Sequence, residues 1–311
     1  MPVKIRDFEV RLTRDKKECQ SVRQLRYRIF ITEQGMPATP EMHRLGEEWD
    51  KFDEHADYIG VFHNGEIVGT YRIIDRAAAE KMGGFYSETE FDISKIKRIK
   101  GNLAEMSRAC VAPDYRENPL VMSMLWVGLS EYIQNKKIQV LFGMVSWFGS
   151  IDTTDYAHAL SYLYYNHLSP AYMRAVLQLD KLAPGVNPKL SRMNILPREF
   201  VNKDKAMREM TPLLKGYLRL NATFGNGVSI VPAENDVAIF SMILTKNINA
   251  AYQKRFTGDE RAFDELGLKT SAIRTIGKLL LLPLSVGLKT IKHVAGMFLT
   301  DEEMKDAEII E

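Results

Sequence analysis

Two cysteines in 311 residues, Cys19 and Cys110, form no metal-ligand or disulfide pattern, so a reducing cytoplasm is the expected setting. No window of about 18 apolar residues occurs, so no membrane span is expected. The opening MPVKIRDFEV has no apolar h-region, which argues against a secretory signal. Neither sign of charge is in excess. Lys and Arg number 42 against 40 Asp and Glu, and a net charge of +2 is too small for a typical nucleic-acid-binding domain. There is no internal repeat, no low-complexity tract, no G-x-S-x-G elbow and no H-E-x-x-H spacing. Cys110 lies in the apolar run ACV and reads as a buried, inert thiol. His158 and His167 lie in a helical, aromatic-rich stretch and read as polar core groups rather than ligands.

What is present is ordinary globular material, 45% hydrophobic and 26% charged, enough for one large domain or two modest ones. Residues 5–13 alternate and predict a strand. Residues 15–34 predict a helix, with Val22, Leu25, Ile29 and Phe30 as its apolar stripe and Lys16, Lys17, Arg23, Arg26 and Arg28 on its other face. Asn64-Gly65 between two apolar runs predicts a hairpin. A strand over 103–112, a helix over about 118–135 and a strand over 138–147 follow. Helical stretches are expected over 156–177 and 205–221, and a strand over 237–244. This order describes a mixed α/β layer. From about residue 257 the composition changes. Residues 266–300 hold Lys269, Arg274, Lys278, Lys289 and Lys292 and no acid, and DEEMKDAEIIE follows. That pattern reads as a membrane-surface helix, or as a helix packed on the domain or on a partner.

The charged residues on or near strands are the candidates for chemistry. Glu105 and Arg108 stand three apart, so on a regular strand they face opposite sides; a bulge or a strand end is needed to bring both to one pocket. An ion pair at a sheet edge is the simpler reading. Asp50 and Asp53, in the acidic loop EEWDKFDEHAD, have the spacing to recognise a cationic amine, or they are merely solvated. Arg26 and Arg72 add positive charge. The loop DYRENPL, between the strand at 103–112 and the next helix, contains no glycine.

Several stretches together resemble the ornithine–acyl carrier protein N-acyltransferases. They include LRYRIF, WDKFDEHADY, GEIVGTYRII, GGFYSETEFDIS, LAEMSRACVAPDYR, ALSYLYYNHLSP and TPLLKGYLRLNATFGNGVSI, in the family's order over about residues 8–256. More distantly, the chain resembles acyl-homoserine-lactone synthases and N-acyl amino acid synthases. The resemblance implies a GNAT-like fold, with a central mixed, mostly antiparallel sheet flanked by helices. It implies one domain over 1–256, with 153–220 as a helical insertion; the resemblance does not extend to 257–311, which composition alone marks as a basic amphipathic tail with an acidic end. It also implies transfer of a long (3-hydroxy)acyl group from acyl carrier protein to the α-amine of ornithine, giving lyso-ornithine lipid. Matching the homoserine-lactone branch residue by residue implies Glu105 and Arg108 as catalytic, and Arg26, Phe30, Asp50, Asp53 and Arg72 as substrate-binding.

In that family setting, Glu105 is the expected base, directly or through a water, and backbone N–H groups at the strand splay after it are the expected oxyanion donors. Arg108 and Arg72 would hold a carboxylate or orient Glu105, and Asp50 or Asp53 would read a side-chain ammonium. Trp126, Phe142, Met144 and Trp147 are candidate acyl-tunnel residues, or plain core. A coenzyme A-dependent GNAT enzyme carries a glycine loop whose N–H groups hold the pyrophosphate. Here Arg116 is followed by ENPLVM, so the expected donor is the acyl-phosphopantetheine of acyl carrier protein, with no cofactor bound. Acyl carrier proteins are strongly acidic, and Lys16, Lys17, Arg23 and Arg28 with KIKRIK (95–100) would steer them. The expected location is cytoplasmic, peripheral on the inner membrane through 266–300. The competing readings are an N-acyl amino acid synthase with another acceptor, a non-catalytic acyl-carrier or lipid-binding module, and a coenzyme A acetyltransferase.

Overall fold

The computed structural model describes residues 2–248 other than 6 and 14. The expected tail, 257–311, lies outside the described residues. The chain begins with a short hairpin of strands β1 (Val3–Ile5) and β2 (Phe8–Leu12), where the alternation predicted one strand. Helix α1 (Lys16–Arg26) starts at Asp15, whose side chain accepts the Glu18 N–H at 2.9 Å. It runs directly into a π-helical segment, Tyr27–Glu33. The wider turn buries three consecutive residues, Ile29, Phe30 and Ile31, which a 3.6-residue period cannot place on one face.

After a short α2 (Pro40–Leu45) come β3 (Asp57–His63) and β4 (Glu66–Asp75). They are joined through Asn64 and Gly65 at φ 51° and 86°, the left-handed pair that a two-residue hairpin needs. Next come α3 (Arg76–Met82), β5 (Phe91–Asp92), α4 (Ser94–Lys97), β6 (Asn102–Val111), α5 (Pro119–Lys136) and β7 (Ile138–Phe148). The remainder comprises α6 (Ala157–His167), β8 (Val176–Leu177), α7 (Lys203–Glu209), α8 (Pro212–Arg219), β9 (Thr223–Phe224), β10 (Ser229–Val231) and β11 (Asp236–Leu244).

Two helices are shorter than the sequence suggested. The stretch 156–177 stays helical only to His167, just before Ser169-Pro170. The stretch 205–221 is two helices, because Thr211 caps a new one at Pro212 by accepting the Leu214 N–H at 3.2 Å. Between α6 and α7 the chain makes only short turns and β8, which pairs with β5.

The main sheet runs β1-β2-β3-β4-β6-β7-β11-β10, with β9 also on β11, and is antiparallel except between β6 and β7. α5 covers one face, where Val121, Met124 and Leu125 pack with Tyr71, Ile73 and Val145. The other face carries Ile74, Phe142 and Phe240 under Phe52, Phe85 and Phe91. α1 packs beside them through Val22 and Leu25 on Tyr58 and Phe62.

Two irregularities of β6 shape the site. First, β6 and β7 pair only as far as Glu105 and Phe142. Beyond that point β6 stays with β4 and β7 with β11, so the two strands fork. Gly143 sits at the apex: a Cβ there would lie 2.1 Å from the Met106 carbonyl oxygen and 3.5 Å from the Met106 nitrogen. Second, Arg72 pairs with Ser107 but Thr70 with Cys110, which places one extra residue on β6. That residue is taken up at Arg108, whose φ is 51°.

Candidate active site

The bulge brings together what strand alternation would separate. Glu105, on the regular part of β6, points to the face shared with Ile74 and Phe142 and is fully buried. Arg108, past the bulge, turns to the same side and reaches Glu48 at 3.2 Å, Asp50 at 3.3 Å and the Tyr86 hydroxyl at 3.3 Å.

Around Arg108 lies a cluster of three arginines and three carboxylates. Arg26, at the end of α1, has no exposed surface. Its Nε and Nη2 donate to Glu48, and its Nη1 and Nη2 fork onto Asp53 at 2.6 and 3.0 Å. Asp53 also accepts the Asp50 backbone N–H at 2.7 Å, closing a capping box on the turn Lys51–Asp53, and the Tyr58 hydroxyl at 2.7 Å. Burial opposes the charge on Asp53, but Arg26 and Arg72 overcome it and hold the carboxyl well below its ordinary range. Arg72, on β4 and fully buried, donates to Asp50 at 2.6 Å and to the Ser107 hydroxyl at 2.9 Å. Its Nη2 is buried and has no partner. Asp50 is the more open of the two aspartates, its side chain 25% exposed against 5% for Asp53. It borders an open cleft of about 350 Å³ lined also by Arg23, Trp49, Lys51 and Glu54.

Glu105 is not part of that ion cluster. It accepts the backbone N–H groups of Tyr86 and Ser87 at 2.6 and 2.7 Å and the Ser87 hydroxyl. Burial pushes its carboxyl up to about 7, against the pull of the Ser87 and Tyr86 donors and of Arg72. The ring of Tyr86 lies 5.0 Å from the Arg108 guanidinium carbon and 5.5 Å from that of Arg72, which ties the Glu105 loop to the arginine cluster.

The site residues expected from the sequence therefore fall into groups. Arg26, Asp50, Asp53, Arg72 and Arg108 form one network, and Glu105 adjoins it through Tyr86. Phe30 lies beneath Arg108, its ring centroid 5.9 Å from the guanidinium carbon. Asp53, Arg26 and Glu48 satisfy one another, so Asp53 has no face to offer an incoming amine. The four proposed tunnel residues do not line one surface, which corrects that expectation. Phe142 and Met144 lie on the Glu105 face. Trp126 and Trp147 lie on the α5 face, Trp126 edge-on to Tyr217 and Trp147 donating to the Glu209 carbonyl at 2.7 Å. Strand alternation puts Met144 and Trp147 on opposite sides of β7.

Sequence reasoning passed over Glu48, Tyr58, Tyr86, Ser87 and Ser107. Glu48 stands in the same acidic loop as Asp50, and its charge was a usable signal. The others are common residue types whose roles exist only through tertiary contacts.

Past β6 the chain makes a turn, Pro113–Tyr115, and enters α5. Asn118 caps that helix, taking the Leu120 N–H at 3.0 Å, and Arg116 is engaged by Glu33 at 2.5 and 2.7 Å. Among the described residues no group of His, Cys, Asp and Glu has the arrangement of a metal site.

A sheet forked at one parallel pair, with a helix leading from one arm to the other, is the frame of a GNAT acyltransferase. A family model described as an acetyltransferase (GNAT) domain matches residues 25–127. The L-ornithine N(alpha)-acyltransferase of Brucella abortus (strain 2308) is 32% identical over 269 residues, 84% of this chain and 92% of the relative. That of Rhizobium meliloti (strain 1021) is 32% identical over 270 residues, 84% of this chain and 88% of the relative. The chain belongs to the L-ornithine N(alpha)-acyltransferase family and is an acyltransferase. A solved coenzyme A-dependent acyl-homoserine lactone synthase, BjaI, overlays 86% of this chain and 90% of its own at 12% identity and a TM-score of 0.46.

Proposed function

We propose that the protein transfers a long-chain 3-hydroxyacyl group from the phosphopantetheine arm of acyl carrier protein to the α-amine of L-ornithine, giving lyso-ornithine lipid. The observation that carries this reading is the buried carboxyl of Glu105 at the apex of the β6–β7 fork, beside an arginine, Arg72, whose Nη2 lacks a partner. An α-amine must shed a proton before it attacks a thioester, and a carboxyl near 7 is matched to accept one at neutral pH. Both Glu105 oxygens already take bonds from the protein, so the proton reaches it through a water. The amine nitrogen bonds to the thioester carbonyl carbon, and the pantetheine thiolate leaves. The oxygen of the tetrahedral intermediate is assigned to the Met106 backbone N–H, on the first residue of β6 past the pairing with β7. Arg72 and Arg108 hold the acceptor carboxylate.

The donor assignment rests on α5. No glycine stands before it, and Asn118 already fills its first N–H position, so a pyrophosphate finds no backbone cradle there. A radiolabel transfer assay tests the whole reading. Label should pass from 3-hydroxyacyl carrier protein to ornithine and hardly at all from the matching acyl-coenzyme A. Equal use of coenzyme A overturns the donor, and acylation of glycine or lysine instead of ornithine overturns the acceptor.

The product is an amphiphile with a bilayer as its destination. The basic segment 266–300 is the proposed membrane contact, each Lys or Arg near an anionic leaflet contributing up to ~1 kcal/mol. Removal of 257–311 should abolish co-sedimentation with anionic liposomes; undiminished sedimentation would remove the tail from the proposal. Among the described residues no helix is long and apolar enough to cross a membrane.

A further inference from the structure

The three arginines and three carboxylates around Asp53 balance in charge. A second group of acids, which also feels Arg108, does not balance. Asp236 opens β11, opposite Phe148 at the far end of the forked part of β7. Its Oδ2 accepts the Ser146 hydroxyl at 2.9 Å, and its Oδ1 has no partner although the residue is only 7% exposed. Glu90 ends the turn that presents Tyr86 and Ser87 to Glu105. The Ser229 hydroxyl bonds its carboxylate, yet its Oε2 is buried without a partner. Glu234 stands two residues before Asp236, half-buried. Burial pushes the carboxyls of Asp236, Glu90 and Glu234 upward, Asp236 to about 7; Glu234 adds to the push on Glu90, Glu90 and Glu234 to that on Asp236, and Glu48 and Asp50 to that on Glu234. The cation that acts on all three is Arg108, already shared with Glu48, Asp50 and Tyr86.

Two buried carboxylate oxygens with nothing to bond, in a group short of positive charge, describe a place for a cation. We propose that Asp236 and Glu90, with Glu234 at the rim, form the subsite for a side-chain ammonium of the acceptor amino acid. The inference rests on the acceptor assignment above and moves the ammonium from Asp50 and Asp53, whose oxygens are held by arginines, to Asp236 and Glu90. Arg72 and Arg108 then take the carboxylate of the substrate, and Asp236 and Glu90 take the ammonium. A dibasic acceptor satisfies both sides at once. An acceptor with a plain alkyl chain leaves the two orphan oxygens as they are.

The test is direct binding of L-ornithine and of L-norvaline, which has the same carbon chain without the terminal amine, to the full-length protein by calorimetry. The same pair is then offered as acceptors in the transfer assay. The wild type should favour ornithine by roughly tenfold to a hundredfold, the usual worth of a charge-assisted hydrogen bond. Asp236→Asn and Glu90→Gln, each folded by circular dichroism, should bring that ratio toward one by weakening ornithine and leaving norvaline unchanged. A merely structural role would weaken both acceptors alike. A ratio unchanged in the variants, or no ornithine preference in the wild type, overturns the subsite. Should Asp236→Asn fail to fold, Glu90→Gln alone decides by the same ratio. Ornithine bound in preference to norvaline but acylated from no donor would overturn the proposed reaction and leave the subsite standing. Ornithine acylated equally well by the variants would do the reverse.

Discussion

Glu105→Gln should leave a folded protein whose acyl transfer falls by about 100- to 10,000-fold, the range expected when a general base is removed. Glutamine fills the same volume in the same fully buried position. It cannot accept from every donor that converges there, since its amide nitrogen must face the Tyr86 or Ser87 N–H. One mispaired donor costs about 1–3 kcal/mol of stability, which a domain of this size survives. The two effects separate by pH. In the wild type the rate should climb as pH rises through about 7, because Glu105 accepts a proton only when ionised. The variant should show no such limb.

Stability has the opposite sign. The carboxyl is protonated in the folded chain up to about 7 but ionised in the unfolded chain above its ordinary 4.5, so its contribution is full below 4.5 and is lost as pH rises toward 7. Measured rates and unfolding free energies from pH 5 to 8 check both. A variant that keeps more than about a tenth of the activity would remove Glu105 from the chemistry.

Arg26→Ala should cost about 3–5 kcal/mol of folding free energy, the usual penalty for taking one partner from a buried ion pair. Arg26 is wholly buried, and the change would strand Glu48 and Asp53, whose side chains are each 5% exposed. Burial would then oppose the charge on Asp53 with Arg72 as the one arginine left beside it, and the capping box at Asp50 would loosen with it. Arg26→Lys should recover only part of the loss, because an ammonium has no planar fork with which to bridge two carboxylates. Urea unfolding followed by tryptophan fluorescence measures both. A loss below about 1 kcal/mol for alanine would mean that the network is a surface arrangement rather than a keystone.

The elements that local pattern governs could be read from the residues. The Asn64-Gly65 hairpin, the strand at 103–112 and the helix at about 118–135 all stand where periodicity and turn chemistry put them. So does the requirement that a bulge intervene if Glu105 and Arg108 are to meet, although nothing local says that the extra residue is Arg108. What could not be read is pairing at a distance. The spacing of Asp50 and Asp53 suits an amine equally well whether or not Arg26 stands opposite, and that partner lies 27 residues back. The aromatics around β7 look alike in composition, and only the two faces of the sheet divide them. Asp236 and Glu90 carried no signal of their own, because an unpaired oxygen is a property of the folded neighbourhood.

The ladder between β11 and β7, nine pairs from Asp236–Phe148 to Leu244–Val140, also sets an order of manufacture. Every residue of the arginine cluster has been synthesised by residue 108. Asp236 follows roughly 130 residues later, on the order of 6–26 s at ordinary synthesis rates. During that interval the outer edge of β7 has no neighbour to cover it. The nascent chain therefore carries the charge-balanced half of the site beside an open strand edge, and its exposure to mispairing ends only when the strand that carries Asp236 docks.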